Sequence, residues 1–328
     1  MMWNRYPSEL GVSDLDGAPA ASCPQGRAAR GTERHRRMDF ATILQYLVNG
    51  VFASSVYALM ALGLTLIFGV MQIADFAQGA LYMLGAYVSF YITNRAGLSY
   101  FLSIPTAMLG VAVIAVLNHF AVYRPLRRAG GATTFVAALG ILLILQNGAL
   151  WAFGADYRLI RSPFGDGKIV VLGSVNTYKQ LFIFLVTGWL ILAELLFLQR
   201  TRPGKALRAM SQNRDAAALV GINPDRIAVV SFALAGALAG SAGALVSPLR
   251  AFDPHIGALA ILKSFAIVIF GGMGSISGAL LGALIVGLAE TLTAAYVAAE
   301  YSDLVAFVLM IIVLFVRPQG LRGGAVTP

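Results

Sequence analysis

The chain has 328 residues, 58% of them hydrophobic and 12% charged, with a formal charge of +9 and a mean hydropathy of +0.77. Soluble domains carry about a quarter charged residues, and surface this apolar needs lipid to cover it, so an ordinary soluble protein is excluded. The basic residues sit in short loops between apolar runs without interleaved aromatics, which argues against nucleic acid, and the lone Cys23 leaves no intrachain disulfide and no thiolate metal site.

Residues 1–37 come first and differ from everything after them. They hold six arginines (Arg5, Arg27, Arg30, Arg34, Arg36 and Arg37), four acids, several Gly and Pro, and no apolar run. A secretory signal would need an apolar stretch of about 7–15 residues. The composition predicts a disordered N-terminal extension, with Met38 as an alternative start.

From Met38 to the end, residues 38–328, apolar stretches of spanning length follow one another. About 20 apolar residues cross a bilayer as a helix. The expected spans are roughly 44–69, 79–93, 101–122, 133–153, 180–199, 227–247, 257–270, 276–297 and 303–316. Spans 79–93 and 257–270 are short enough to be tilted, broken or re-entrant. The expected fold is therefore an all-α, polytopic transmembrane bundle of eight or nine spans. Loops 123–130 and 200–226 and the C-terminal tail carry eleven basic residues against six in the opposite loops. By the positive-inside tendency the richer side is cytoplasmic. That puts the start of the first span outside, at odds with the basic cluster Arg34–Arg37.

Loop 200–226 carries the most information. Pro203 and Gly204 stop the preceding span. Leu207 and Met210 share one helical face, flanked by Lys205 and Arg208. Asp215 is placed to cap a second short helix, Gly221 to end it, and Asn223-Pro224 to turn into the next span. Such a segment either docks into a partner's groove or lies on lipid, and its spacing alone does not choose.

The run Gly204-Lys205-Ala206-Leu207-Arg208-Ala209 through Ala218-Leu219-Val220-Gly221-Ile222-Asn223 resembles the coupling loop of the branched-chain amino-acid ABC transporter permeases. Two further blocks are similar to the same family: Ala61–Met71 with Gly79–Tyr87, and Phe252-Asp253-Pro254 with Gly271–Ala279. The likeness runs in matching order from about residue 41 to the end, and is greatest to the first, H-type permease. The resemblance implies a second permease subunit, two ATPase subunits and a periplasmic solute-binding protein as partners, in the inner membrane. It implies leucine, isoleucine or valine as solute, with urea, short amides or other amino acids as alternatives. It also gives Gly204, Lys205, Leu207, Arg208, Met210, Asp215, Gly221 and Asn223 an ATPase-coupling role. The chain lacks a G-x-x-x-x-G-K-[ST] phosphate loop, so no cofactor is expected on it, and ATP belongs to the partners.

Polar groups at membrane depth are candidates for the solute pathway. Asp75, Gln78 and Gly79 lie between the first two spans, where the family usually has an Asn-Phe-Ala-His-Gly type sequence. Asp75 replaces the Asn and Gln78 the His. The alternative role for Asp75 is a helix cap. Gly271, Gly272 and Gly274 interrupt a long apolar stretch, either as unwound pathway backbone or as a tight turn between packed helices. Lys263 and Glu290 fall within spans and would be satisfied by pairing. Glu194 and Glu300 are expected at the interface, with Trp151, Trp189 and Tyr100 as an aromatic belt. His35, His119 and His255 fall apart, without metal-ligand spacing, and no catalytic set emerges. A stand-alone channel or ion-coupled carrier remains the alternative from another class, disfavoured by the scarcity of intramembrane acid or His relays.

Overall fold

A computed structural model describes residues 40–128, 130–160, 164, 167–171 and 174–322; the extension expected over residues 1–37 lies outside them. Nine helices coincide with the nine expected spans: α1 (Phe40–Met71), α2 (Ala77–Asn94), α3 (Tyr100–Asn118), α4 (Gly131–Phe153), α5 (Tyr178–Arg200), α8 (Pro224–Val246), α9 (Ile256–Gly271), α10 (Ile276–Tyr296) and α11 (Ser302–Val316). Between α5 and α8 run two short helices, α6 (Arg202–Gln212) and α7 (Arg214–Leu219). Seven of the helical segments are long and apolar enough to cross a membrane. The two others, α2 and α9, are the short runs. A small antiparallel hairpin, β1 (Lys168–Val171) with β2 (Ser174–Thr177), pairs Lys168 with Thr177 in the α4–α5 connection. It was not foreseen.

The long helices are apolar all round, because both the bundle interior and the lipid accept apolar side chains. Burial separates the two uses. The apolar windows of α1 and α8 are each 72% buried, against 17% for α4 and 6% for the last span. Thus α1, α2 and α8 form the centre, while α4, α5 and α11 present Ile144, Leu185 and Phe315 outward.

Helix α8 reaches the centre through small residues. Gly236 and Gly240, four apart, lie against Ala115 and Ala107 of α3, and Gly240 and Gly243 lie against Gly85 and Tyr82 of α2. A Cβ on Gly243 would sit 2.0 Å from the Tyr82 carbonyl oxygen. Close backbone approach of this kind takes the place of hydrophobic exclusion as the packing force in lipid.

The ends are tied by polar contacts. Helix α3 finishes in a π-helical turn, His119–Tyr123, which carries Tyr123 fully inside. At the other end, Arg158 and Phe252 exchange two backbone hydrogen bonds of 2.9 Å. The Arg158 guanidinium lies over the rings of Phe90 (5.1 Å) and Tyr91 (5.9 Å) of α2, a cation–π contact that ties the bridged α4–α5 and α8–α9 connections to that helix. Tyr100 and Glu194, expected at the membrane surface, are instead buried, and the Tyr100 hydroxyl donates to the Ala244 carbonyl at 3.0 Å. Trp151 is exposed at the end of α4, whereas Trp189 faces outward from the middle of α5.

Candidate functional site

A cavity of about 540 Å³ lies between α1, α5 and α9, bordered also by Tyr82 of α2, by the α8–α9 connection and by Asp303 of α11. This is within the range of roughly 300–1,000 Å³ typical of small-molecule sites. Phe52, Val56, Ile183 and Leu259 give it an apolar wall, and Asn49, Gln180, Arg250, Asp253, Lys263 and Asp303 supply polar and charged groups of both signs.

Lys263 organises the charged side. Its Nζ donates to Glu290 Oε1 at 2.6 Å and to the Tyr57 hydroxyl at 3.3 Å, and pairs with Asp303 Oδ1 at 2.6 Å. Tyr57 in turn donates to Glu290 Oε1 at 3.1 Å. The Lys263 and Glu290 side chains are 8% and 15% exposed, whereas that of Asp303 is 52% exposed. The pairing of Lys263 with Glu290 satisfies both intramembrane charges, as their position demanded. Arg250 lies against the Tyr82 hydroxyl on the same cavity.

Asp75, Gln78 and Gly79 do not border this cavity. Asp75 is 1% exposed; its Oδ1 accepts from the Ala77 N–H at 2.9 Å and from the Tyr123 hydroxyl. The carboxylate therefore caps the start of α2 and ties it to the end of α3. Gln78 Nε2 donates to the Ala235 carbonyl at 2.9 Å and fills the notch left by Gly63. Gly79 meets the Gly257 carbonyl, 2.6 Å from where a Cβ would stand.

The break at Gly271, Gly272 and Gly274 is a tight turn between the antiparallel helices α9 and α10. Gly272 and Gly274 hold φ of +105° and +83°, values that side-chain-bearing residues rarely adopt. Ser275 Oγ caps α10 by accepting from the Gly278 N–H at 3.1 Å. The chain after α11 returns here: the Leu321 and Arg322 N–H groups donate to the Phe270 and Gly271 carbonyls, each at 3.0 Å, satisfying acceptors that the end of α9 leaves open.

In the α5–α8 connection, Thr201 caps α6 by accepting from Gly204 at 3.0 Å, and Asn213 caps α7 by accepting from Ala216 at 2.9 Å. Asp215 thus lies in the first turn of α7, not at its cap, because Asn213 reaches the free N–H first. Gly221 takes φ +88° after α7, and Asn223 caps α8 by accepting from Asp225 at 3.0 Å. Gly204 is packed against the Phe197 carbonyl. Leu207 and Met210 are each 2% exposed and turn into the chain's own bundle, where Leu207 lines a crevice with Gly69, Leu198, Ser211 and Gly274. Lys205 and Arg208 stay exposed on α6, Arg208 also bordering that crevice. The apolar residues that stand free are Leu219 and Val220, 89% and 78% exposed. Sequence spacing could not single them out, since α7 is under two turns long.

Both features border α1, the cavity from Asn49 to Met60 and the crevice from Thr65 to Val70. Asn49 of α1 borders the cavity and Gly69 of α1 borders the crevice under α6. Twenty residues of helix separate them, about 30 Å, which is the thickness of a bilayer's hydrocarbon core.

Comparison with known proteins gives the chain's relatives. Residues 46–314 match the family described as branched-chain amino acid transport system / permease component. The high-affinity branched-chain amino acid transport system permease protein LivH of Escherichia coli (strain K12) is 36% identical over 298 residues, 87% of this chain and 96% of that protein. The corresponding protein BraD of Pseudomonas aeruginosa is 36% identical over 293 residues, 85% and 95% of the two chains. LivM of Escherichia coli (strain K12), named as a permease protein of the same transport system, is 26% identical over 292 residues, 81% of this chain and 67% of that protein.

Proposed function

The chain belongs to the permease-component family of branched-chain amino acid transport systems, and from that premise we propose that it imports aliphatic amino acids as one membrane-spanning subunit of an ATP-driven transporter. In this reading it pairs with a second permease, of which LivM is the counterpart in the related system. Two ATPase subunits bind below it, a solute-binding protein delivers leucine, isoleucine or valine from outside, and the assembly sits in the inner membrane. The chain binds no nucleotide itself and performs no chemistry; its work is to open and close a path. The apolar wall of Phe52, Val56, Ile183 and Leu259 favours an aliphatic solute over urea or a short amide.

The observation that carries the ATP-driven reading is the pair Leu219 and Val220. These two project from a connection rich in Arg and Lys, on the side assigned to the cytoplasm. Exposed apolar residues rimmed by polar ones mark a protein contact. Asp215, Gly221 and Asn223 shape this projection, and Lys205 and Arg208 belong to the preceding helix α6. Replacing Leu219 and Val220 by Asp should leave the permease folded but strip the ATPases from the purified complex and stop uptake. Replacing Leu207 and Met210 by Asp should instead unfold the α6 region, because both charges would be buried. ATPases that still co-purify with the Leu219→Asp, Val220→Asp protein, with normal uptake, would remove this surface from the dock.

A further inference from the structure

We propose that Lys263 is the group that holds the carboxylate of the transported amino acid, which takes the place of Asp303 on the lysine ammonium. The proposal rests on the reading above that the solute is a zwitterionic amino acid.

The argument begins with the three protons of a lysine ammonium. In this structure they face Glu290 Oε1, Asp303 Oδ1 and the Tyr57 hydroxyl. The three partners are not equivalent. Glu290 is nearly enclosed and lies outside the cavity lining, so its bond to Lys263 is internal to the bundle. Asp303 stands in the first turn of α11, borders the cavity, and keeps half of its side chain exposed. A half-exposed ion pair holds weakly because water competes for both charges. Removing a partner from a buried charge, by contrast, carries a heavy penalty. An incoming carboxylate can therefore displace Asp303, which returns to water, while Glu290 and Tyr57 keep the lysine neutralised and aimed into the cavity.

The rest of the cavity fits the rest of an amino acid. Asp253 on the same lining offers a carboxylate to the α-ammonium. Val56 and Leu259 lie on that lining as well, suited to an aliphatic side chain. A solute without a carboxylate would have to leave Asp303 where it is, and would gain nothing from Lys263.

The test is equilibrium binding of labelled leucine to the assembled permease–ATPase complex in lipid nanodiscs without the binding protein, with leucinamide as competitor. Leucine should outcompete leucinamide by about tenfold or more, the worth of one charge-assisted hydrogen bond. Asp303→Asn, at a half-exposed position where folding is safe, should tighten leucine several-fold by removing the internal competitor, and leave leucinamide unchanged. Lys263→Met combined with Glu290→Gln, which leaves no buried charge unpaired, should make leucine bind no better than leucinamide. A merely structural ion pair would move thermal stability in both variants without altering the ratio of the two ligands. Equal binding of leucine and leucinamide to the wild-type complex, absence of leucine binding at millimolar concentration, or an unchanged ratio in Asp303→Asn would each overturn the assignment. Leucine uptake by the complete wild-type system with binding protein is measured in parallel. Uptake without the expected ratio sinks Lys263 alone, whereas absence of leucine uptake sinks the functional reading beneath it.

Discussion

Replacing Gly243 by Ala, one added methyl group, should cost more than most larger changes elsewhere in the bundle. The new Cβ would lie 2.0 Å from the Tyr82 carbonyl oxygen and 2.8 Å from the Ala86 nitrogen, where ordinary contact begins at 3.4 Å. Both obstacles are backbone, so no rotamer change relieves them. Helices α2 and α8 must separate by about 1.4 Å, the shortfall between 2.0 Å and 3.4 Å, and overpacking of this kind costs about 1–3 kcal/mol. The separation also shifts Tyr82, which borders the cavity, so uptake should fall with stability. Gly140 in α4 provides the opposite case, with no atom within 4 Å of its added Cβ. There Ala should be neutral or stabilise the helix by up to about 1 kcal/mol, since glycine is the costlier residue inside a helix. Thermal unfolding of both purified variants in the same detergent gives the comparison. A Gly243→Ala protein that unfolds no earlier than wild type or Gly140→Ala would refute the close-packed seam.

Asp75→Asn should keep the cap on Ala77 and fold nearly as wild type, whereas Asp75→Ala loses both that cap and the Tyr123 hydroxyl and should cost about 2 kcal/mol or more; unfolding temperature with uptake per folded complex measures both, and equal stability of the two would contradict the tie. Gly69→Leu should wedge α6 away from α1, since even the first added carbon already meets Ser211 Cβ at 3.3 Å. ATP hydrolysis should persist in that variant while uptake is lost, and tight coupling retained in Gly69→Leu would argue against the contact.

All nine helices were legible because each is a self-contained apolar run, and the seven long enough to cross a membrane have few other uses at that length. The charged cavity was not legible as a unit. Tyr57, Lys263, Glu290 and Asp303 come from α1, α9, α10 and α11, and nothing in the spacing along the chain announces that they converge. Position alone flagged Lys263 and Glu290 as needing partners, and they found one another; Asp303 completes the set from the first turn of α11. Leu207 and Met210 illustrate a different limit. Helical period fixes that two residues share a face, but not what that face meets. Here it meets the permease's own α1 and α5, and the large apolar residues of the connection left exposed are Leu219 and Val220. Glu194 looked interfacial from its place near a span end, yet the bundle covers it.

The geometry also bears on how an event at one end could reach the other. Coupling between distant sites needs a physical element with contacts at both, and α1 qualifies. Its last turn touches Ser211 of α6 and Gly274 of the α9–α10 turn, while Tyr57, twelve residues earlier and about 18 Å away along the axis, bonds to both Lys263 and Glu290. The α9–α10 turn belongs to the same circuit, because α9 carries Lys263 and α10 carries Glu290, and their close crossing at Gly271 and Gly278 leaves no slack between them. A displacement of α6 against Gly69 and Gly274 therefore pushes on three helices that hold the lysine. If the solute carboxylate sits on that lysine, motion delivered through α6 would act on the groups that grip it, with no further relay required.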